Sequence, residues 1–298
     1  MNILMLTNTY LPHVGGVARS VDQFASHFRA CGHRVLIVAP HYEGADDDPH
    51  VVRIPSIQQF NGTTFSVPLP IPGYLSATIS EFQPDIVHAH HPFLLGDTAL
   101  RIAALRELPV VFTHHTLYQK YTHYVVGNSD ALRRFVTDLA AGYCNLCDAV
   151  IAPSPSIRKM LRDHGVASRI EVIPTGVVLD RFCHGDGATF RRQYGIPQDA
   201  FVVGHIGRLA TEKNIAFLAE AVVECVDEMD DVWFVVAGEG CCAEDIRRIF
   251  AERNLSARLV LEGVFPDNRL ADAYDAMDVF AFASQSETQG MVITEAMA

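Results

Sequence analysis

Ser284-Gln-Ser-Glu-Thr-Gln-Gly-Met-Val-Ile-Thr-Glu-Ala-Met-Ala298 is the stretch of sequence that decides the fold. It follows Asp278-Val-Phe-Ala-Phe-Ala283, which is short, apolar and rich in strand formers, and it ends in residues that tolerate or favour a helix. The pattern predicts a strand, a polar turn and a helix that opens at Gly290. The backbone N–H groups of Gly290, Met291 and Val292 then lack intrahelical partners and, with the helix dipole, favour an anion such as a phosphate.

Two carboxylates flank this helix start, Glu287 in the turn and Glu295 inside the helix, with seven residues between them. Because carboxylates repel phosphates, we interpret them as acceptors for the neutral hydroxyl groups of a ligand. A phosphate seat beside such carboxylates describes a site for a nucleotide sugar. The same pattern also fits an N-cap turn followed by a solvated helix face, since short motifs often arise by chance.

The spacing Glu287-x7-Glu295 resembles the E-x7-E motif of retaining glycosyltransferases of family 4, and the string from Glu287 to Ala298 is similar to that of bacterial diacylglycerol glucosyltransferases. The resemblance implies an α/β fold of GT-B architecture, in which two doubly wound Rossmann-like domains face a cleft. It implies retaining transfer of a hexose, with UDP-glucose as the candidate donor and diacylglycerol as the candidate hydroxyl acceptor. Within the family, Glu287 resembles the catalytic residue that holds donor sugar hydroxyls, and Glu295 resembles the residue that grips the ribose.

Length and charge point to two domains of different character. With 298 residues and 49% hydrophobic content the chain can form two cores, which we place in residues 1–178 and 179–298. The first part carries 13 Lys and Arg against 14 Asp and Glu, and the second carries 10 against 21, which gives the total net charge of −12. This acidity argues against a nucleic-acid partner. Only the near-neutral first domain can approach an anionic membrane without strong repulsion.

The sequence indicates a cytoplasmic protein. The segment from Asn2 to Asn8 is too short for a signal peptide and lacks a basic flank, and no run reaches the roughly 18 apolar residues that span a bilayer. The seven cysteines are scattered and odd in number, which favours a reduced compartment. Cys144 and Cys147 lie one helical turn apart, so we expect packing rather than metal binding. A lipid acceptor would make the protein peripheral on the inner face of the membrane.

The first domain opens with a β-turn-α-β pattern, predicted as strand 2–8, helix 17–30 and strand 34–39, which begins a doubly wound sheet. Its first turn contains Gly15 and Gly16, which let the backbone come close to a ligand. The turn lacks the G-x-G-x-x-G pattern of dinucleotide-binding dehydrogenases. The resemblance implies that this glycine loop faces the donor across the cleft.

Histidines gather at the ends of predicted strands 85–90 and 109–113, at the edge where such sheets bind ligands. They are His88, His90, His91, His114 and His115. Because no motif has metal-ligand spacing, we expect no metal and interpret most of them as structural. The resemblance places His115 near the donor sugar, where it would orient the 6-hydroxyl or stabilise charge. His13 lies where inverting GT-B enzymes keep a base, but no Asp partner for it is evident, and inversion stays the minor alternative.

Aromatic and proline-rich segments of the first domain are candidates for the acceptor side. Tyr118, Tyr121 and Tyr124 lie in a string that also resembles the diacylglycerol glucosyltransferases, and they would line an amphipathic entrance. The alternative for three tyrosines at this spacing is simple packing. The apolar segment 65–75 contains several prolines, so we expect it either to pack inside or to meet an apolar partner.

The second domain repeats the β-α-β pattern, with predicted strands at 201–206, 232–237 and 258–262. Arg208 and Lys213 lie in the turn that follows the first of these strands. They resemble the diphosphate-binding Arg and Lys of the family, and the alternative is two solvated surface charges. Two fixed cations can neutralise a departing diphosphate, so we expect no requirement for a metal cofactor.

Several alternatives stay open at this stage. We expect a donor domain of this family to continue past Ala298, in which case the carboxylates of E-x7-E would be loosely held and this chain would be inactive. A non-catalytic nucleotide-sugar-binding or assembly fragment is then the alternative to an enzyme, and a reading frame that continues downstream of Ala298 would favour the enzyme. A nucleotide-sugar epimerase of the same architecture would convert the donor without an acceptor.

Overall fold

Short runs of β-branched and aliphatic residues form the strands of two separate parallel sheets, as expected for strands covered on both faces. The structure, a computed structural model, describes residues 1–13, 15–59, 66–122 and 129–298. The chain divides into two units, Met1–Gly176 and Val177–Ala298, and each contains one of these sheets.

The first unit is built on a seven-stranded parallel sheet with helices between the strands. The strands of the unit, including two that lie outside this sheet, are β1 (Asn2–Leu6), β2 (Arg34–Pro40), β3 (Val51–Ile54), β4 (Ser56–Ile57), β5 (Val67–Pro68), β6 (Ile86–Ala89), β7 (Val110–Thr113), β8 (Ala149–Ala152) and β9 (Arg169–Val172). Its helices are α1 (Gly16–Ala30), α2 (Ser76–Phe82), α3 (Leu95–Arg106), α4 (Asp130–Asn145) and α5 (Pro155–Asp163). The sheet order is β3-β2-β1-β6-β7-β8-β9, while β4 and β5 form a separate antiparallel pair.

The order of strands in the first sheet reverses between β1 and β6. β1 pairs with β2 on one side and with β6 on the other, so that Leu4 lies opposite both Leu36 and Val87. Open α/β sheets bind ligands beyond the carboxyl ends of the strands at such a reversal. The segments that follow β1 and β6 meet there, where the backbone N–H of Asn8 donates to Nδ1 of His91 at 3.0 Å.

The second unit has a four-stranded parallel sheet in the order β12-β11-β10-β13. Its strands are β10 (Phe201–Ile206), β11 (Val232–Ala237), β12 (Leu259–Glu262) and β13 (Val279–Phe280). Its helices are α6 (Gly187–Gln193), α7 (Ile215–Glu228), α8 (Ala243–Glu252), α9 (Asp267–Asp275) and α10 (Met291–Met297). The order reverses between β10 and β13, so the turns after these two strands lie at the same edge.

A buried arginine fastens α6 to this sheet. The Arg191 guanidinium donates to the carbonyl oxygens of Ala276 at 2.8 Å and Ala200 at 2.9 Å, and to Asp278 Oδ2 at 2.9 Å. The same carboxylate oxygen accepts the Val202 N–H at 2.7 Å. One side chain therefore joins the helix to the starts of both β10 and β13.

The predicted α/β fold with two doubly wound units is confirmed. The strand predicted over 278–283 is shorter than expected, because β13 pairs with β10 over two residues only. Helix α9 was not predicted, since its sequence Asp-Asn-Arg-Leu-Ala-Asp-Ala-Tyr-Asp is mostly polar and shows only a narrow apolar stripe.

Candidate active site

Two turns meet at the carboxyl edge of the second sheet, one after β10 and one after β13. The turn after β10 leaves the strand at Gly207 and forms a short 3₁₀ segment, Thr211–Lys213, before α7 begins. The carbonyl oxygen of Glu212 in this turn accepts the Ser286 hydroxyl at 3.2 Å, although the two residues are 74 positions apart. The sheet order thus joins the basic turn to the E-x7-E segment.

Glu287 is held by two neighbours on one of its carboxylate oxygens. Lys213 Nζ forms an ion pair with Glu287 Oε1, and the Ser284 hydroxyl donates to the same oxygen at 2.7 Å. The Lys213 side chain is 18% exposed and that of Glu287 is 27% exposed, so solvent screens this pair only in part. A carboxylate offers about four acceptor positions, which leaves capacity for ligand hydroxyls.

Arg208, the other predicted cation, forms an ion pair with Glu212, which lies four residues further along the turn. The Arg208 side chain is about half exposed, whereas the Glu212 carboxylate is buried. The buried carboxylate therefore fixes the guanidinium at the mouth of the site, where it remains accessible to a ligand.

Two glycines after β11 brace the turn that carries Arg208. A Cβ at Gly238 would lie 1.8 Å from the carbonyl oxygen of Gly207, and one at Gly240 would lie 2.1 Å from that of Leu209. Since no side chain fits at either position, the two turns are in direct backbone contact. This contact restricts the movement of the basic turn.

α10 begins at the predicted place. Gly290 adopts the left-handed conformation with φ of 79°, and Met291 and Val292 are the first residues of the helix. Their role as a phosphate seat stays a prediction. Glu295 is buried, and the Tyr274 hydroxyl donates to its Oε2 atom at 2.9 Å.

His205 lies near the end of β10, close to the charged groups of Lys213 and Glu287. Its Nδ1 atom is 3.0 Å from the carbonyl oxygen of Ala281, and its ring centroid lies 6.0 Å from that of Phe280 and 6.1 Å from that of Phe282. Burial lowers its pKa, and the nearby Lys213 lowers it further. His205 is therefore a neutral residue that joins β10 to the turn after β13.

The glycine turn of the first unit also lies where the sequence predicts. Gly15 is the N-cap residue of α1 and Gly16 is its first residue. A Cβ at Gly15 would approach His13 Nε2 to 3.4 Å, and the His13 ring stacks on Tyr42 at 6.1 Å. The structure thus brings the three predicted residues of this turn together.

The histidines at the edge of the first sheet contact one another or neighbouring polar groups. His88 Nε2 lies 2.7 Å from Thr113 Oγ1, and His90 Nδ1 lies 2.9 Å from His115 Nε2. The rings of His88 and His90 are 4.1 Å apart. These contacts agree with the structural interpretation of most of the group.

Burial keeps these histidines neutral. It lowers the pKa of His88 and of His114 to about 4 and that of His91 to about 3, and it holds the pKa of His90 and of His115 well below the ordinary range. Of the two roles predicted for His115, a neutral ring favours the orientation of a hydroxyl over the supply of positive charge.

The acceptor-side tyrosines differ in their surroundings. The Tyr118 ring packs edge-on against Phe93 at 5.3 Å and against His114 at 5.6 Å, which fits the packing alternative. Tyr121 follows the short 3₁₀ segment Tyr118–Lys120 and is partly exposed. Tyr124 lies outside the described residues.

Within the described ranges, no three His, Cys, Asp or Glu side chains come together as a group able to hold a metal ion. The metal independence of the reaction stays a prediction. Cys144 and Cys147 are buried free thiols, and Cys147 Sγ donates to the Tyr143 carbonyl oxygen at 3.3 Å. Among all the residues that the structure describes, no helix is both long enough and apolar enough to cross a membrane.

Sequence reasoning missed three residues that hold the site. Ser284 lies in the quoted stretch three residues before Glu287. A serine this close in the chain is the feature from which its hydrogen bond to the carboxylate could have been predicted. Glu212, an acidic residue four positions after Arg208 in the basic turn, was a candidate partner by its charge and its nearness in the chain. Tyr274 has no local signal, because its contact with Glu295 spans 21 positions and depends on how α9 and α10 pack.

Two family models match the chain in sequence. The model described as Glycosyltransferase Family 4 matches residues 14–181, and the model described as Glycosyl transferases group 1 matches residues 186–298. The first match covers more than half of the chain. The second contains the basic turn and both carboxylates of E-x7-E.

Curated relatives match along the whole chain. The alpha-monoglucosyldiacylglycerol synthase of Streptococcus pneumoniae is 30% identical over 100% of this chain and 69% of its own length. The enzyme of the same name from Acholeplasma laidlawii is 31% identical over 100% of this chain and 78% of its own length. A GDP-mannose-dependent alpha-mannosyltransferase of Corynebacterium glutamicum is 27% identical over 100% of this chain and 70% of its own length.

Solved structures share the fold. Sucrose-phosphate synthase from Thermosynechococcus elongatus superposes with a TM-score of 0.74 at 20% identity, over 99% of this chain and 78% of its own. Anabaena HepE in complex with UDP-glucose superposes with a TM-score of 0.72 at 20% identity, over 100% of this chain and 78% of its own. The GT-B fold expected from the sequence is confirmed by these neighbours. The family models and the curated relatives show that the chain belongs to glycosyltransferase family 4.

Proposed function

We propose that this glycosyltransferase moves glucose from UDP-glucose to a hydroxyl group of diacylglycerol, with retention of anomeric configuration. The observation that carries the proposal is the cluster of Lys213, Glu287 and Ser284 at the carboxyl ends of β10 and β13. It combines a cation for a diphosphate with a fixed carboxylate for sugar hydroxyls.

The cations of the basic turn would take the charge of the departing diphosphate. Departure of a nucleoside diphosphate leaves negative charge on its oxygens while positive charge grows at the anomeric carbon. The ion pairs of Arg208 with Glu212 and of Lys213 with Glu287 support this role, because they hold both cations at the same edge. The backbone N–H groups at Gly290, Met291 and Val292 would add donors. Because these groups share the neutralisation, we propose that no divalent metal is required.

The two carboxylates of E-x7-E would hold the neutral parts of the donor. Glu287 would accept hydrogen bonds from the hydroxyls of the sugar, and it would stabilise the oxocarbenium-like ion that forms when the bond to the diphosphate breaks. Glu295 would accept hydrogen bonds from the ribose. The proposed roles of Gly15 and Gly16 in donor binding, and of His115 beside the sugar, rest on the family resemblance.

A lipid acceptor is supported by an exposed apolar segment of the first unit. Leu69, Ile71 and Tyr74 are 41%, 52% and 51% exposed and alternate with prolines. Such a segment fits the sequence expectation of an apolar partner and suits peripheral contact with a membrane. The two relatives named alpha-monoglucosyldiacylglycerol synthase support diacylglycerol as the acceptor. We therefore propose action at the cytoplasmic face of a membrane, with His13 and Tyr121 as acceptor-side candidates.

Transfer of mannose from GDP-mannose is the second candidate function. It is favoured by three relatives named GDP-mannose-dependent alpha-mannosyltransferase, which are 27% to 30% identical to this chain. The two candidates share the diphosphate seat and differ in the base and the sugar.

A transfer assay tests the proposal. The protein is incubated with diacylglycerol in mixed micelles and with UDP-glucose or GDP-mannose, and the glycolipid is identified by NMR. We expect an α-glucoside from UDP-glucose, in the presence of EDTA as well as in its absence, whereas the alternative of a non-catalytic binding fragment predicts that this chain gives no glycolipid. Glu287→Gln should abolish transfer, whereas Glu244→Gln, an exposed residue of α8, should not. A β-glucoside, an α-mannoside from GDP-mannose alone, or transfer that needs an added metal would contradict the corresponding part of the proposal.

A further inference from the structure

Tyr274 on α9 contacts the second carboxylate of E-x7-E. Its hydroxyl donates to Glu295 Oε2 at 2.9 Å and lies 3.3 Å from the carbonyl oxygen of Val292. Glu295 is 4% exposed and Tyr274 is 9% exposed. A buried carboxylate requires hydrogen-bond donors, so the phenol determines in part how this carboxylate is oriented.

The tyrosine is itself firmly held. Its ring packs edge-on against Phe182 and lies tilted against Phe280, with both ring centroids 5.8 Å away. α9 is fastened to α6, because the Gly187 N–H donates to Asp275 Oδ2 at 2.8 Å. A Cβ at Gly187 would lie 2.5 Å from the carbonyl oxygen of Asp275, so the two helix backbones are in contact.

α10, in contrast, depends on its contacts. Its N-cap residue, Gly290, is in the left-handed conformation and provides no side-chain hydrogen bond to the first turn of the helix, so this turn is positioned by residues outside the helix. The Tyr274 hydroxyl contacts two of its residues, Val292 and Glu295. A well-packed helix, α9, therefore contacts the start of the helix that carries a proposed ligand-binding carboxylate and helps to set its position.

We infer that Tyr274 is a positioning residue for Glu295 and orients its carboxylate toward the hydroxyls of the donor ribose. The inference rests on the proposed function through the role of Glu295. A carboxylate already held in its binding orientation loses less freedom when the ribose binds, and a small misplacement weakens such a contact strongly. Tyr274 would thereby determine how well the site distinguishes ribose from deoxyribose.

The test compares nucleotides that differ only in ribose hydroxyls. UDP, 2′-deoxy-UDP and 3′-deoxy-UDP are titrated calorimetrically against the wild type, Tyr274→Phe, Glu295→Ala and Tyr194→Phe. Tyr274→Phe removes the hydroxyl and keeps the ring. Tyr194 is the matched control, since its ring packs against Phe190 and Phe265 in the same unit.

We expect the wild type and Tyr194→Phe to bind UDP at least about tenfold more tightly than one of the deoxy analogues, the scale of a hydrogen bond to a charged group. Tyr274→Phe should lose most of this preference by binding UDP less tightly, while its affinity for that analogue stays within about twofold of the wild-type value.

The other outcomes separate the inference from the function on which it rests. A wild type without preference for the ribose would contradict the role of Glu295 and the inference together. A preference that Glu295→Ala removes and Tyr274→Phe keeps would overturn the inference alone. Equal loss of all three nucleotides in Tyr274→Phe would also overturn it, because the hydroxyl would then act only as structural support. If Tyr274→Phe does not fold, Glu295→Asp replaces it in the test, because the shorter side chain moves the carboxylate by one methylene. An unchanged preference for the ribose in Glu295→Asp would overturn the inference.

Discussion

The Lys213–Glu287 pair joins two chemical roles in one contact. The lysine would attract the diphosphate, whereas the carboxylate would repel it and accept neutral hydroxyls. The Ser284 hydroxyl contacts the carboxylate on the oxygen that also contacts the lysine. This arrangement keeps the positive and negative groups in fixed positions, which is what a preorganised site for a charged leaving group and a neutral sugar requires.

Buried histidines make the first unit sensitive to acid. His88, His90 and His114 are at most 4% exposed, and burial lowers the pKa of His88 and of His114 to about 4. In the unfolded chain a histidine titrates near 6.5. Between about pH 6.5 and 4 the unfolded chain therefore binds more protons than the folded one. The stability contributed by each neutral histidine is complete above that window and is lost as the pH falls through it.

We expect the free energy of unfolding to fall between pH 7 and pH 5 by about 1.4 kcal/mol per pH unit for each buried histidine once the pH lies below 6.5. His114→Gln should reduce this slope by the contribution of one histidine, about 1.4 kcal/mol per pH unit. Hydrogen exchange of β6 and β7 measures the effect in the first unit. Ser26→Ala, at an exposed position of α1, replaces a residue that does not titrate in this range; it is the control and should leave the slope unchanged. A slope that His114→Gln does not alter would contradict the assignment of that histidine as neutral and buried.

At the scale of elements, the second unit depends on how α6 and α9 attach to its sheet. The Arg191 guanidinium satisfies carbonyl oxygens of Ala200 and Ala276 and pairs with Asp278. Without it, the two carbonyl oxygens would lose this donor, whereas Asp278 would keep the Val202 N–H and, with its side chain 41% exposed, would regain water. The helix would then lose its main polar link to β10 and β13.

Arg191→Ala should lower the free energy of unfolding of the second unit by about 2–4 kcal/mol. Trp233 is the single tryptophan of the chain and lies in β11, so its fluorescence in a urea titration reports on this unit. Arg192→Ala, at an exposed position of the same helix, should change stability by less than about 0.5 kcal/mol. Equal destabilisation by the two variants would show that the buried network does not hold α6 in place.

Elements whose sequence pattern is local were predictable, and those that depend on distant partners were not. β10 and β11 have the predicted bounds because each is a run of apolar residues between polar turns. β13 ends early, since its length is determined by pairing with β10 rather than by its own apolar residues. α9 escaped prediction because four of its nine residues are charged.

The same distinction applies to the candidate site. Glu287, Arg208 and Lys213 could be found because each belongs to a short pattern at the end of a predicted strand. Their proximity follows from the order of β10 and β13, which no local pattern of the sequence predicts. The contact of Tyr274 with Glu295 requires the packing of two helices, and no sequence period encodes it.

On the scale of the whole molecule, each unit places its notable polar residues where the strand order reverses. In the first unit the glycine turn follows β1, and the histidines lie at or just beyond the carboxyl ends of β6 and β7. In the second they are the basic turn and the carboxylates beyond β10 and β13. The charge is also divided, with most of the net −12 carried by the second unit. The basic turn is a local exception in that acidic unit, because its two cations balance the two carboxylates that pair with them.

The affinity for UDP of two variants of one ion pair tests the central claim most directly. Calorimetry should show that Lys213→Ala weakens UDP binding by roughly 1.5–3 kcal/mol, the scale of a hydrogen bond to a charged group. Glu287→Gln should retain or strengthen UDP binding, since it removes a charge that repels the diphosphate. Lys159→Ala, at an exposed position of α5, is the matched control and should bind as the wild type does. Unchanged UDP affinity in a folded Lys213→Ala variant would contradict the placement of the donor diphosphate at the carboxyl ends of β10 and β13.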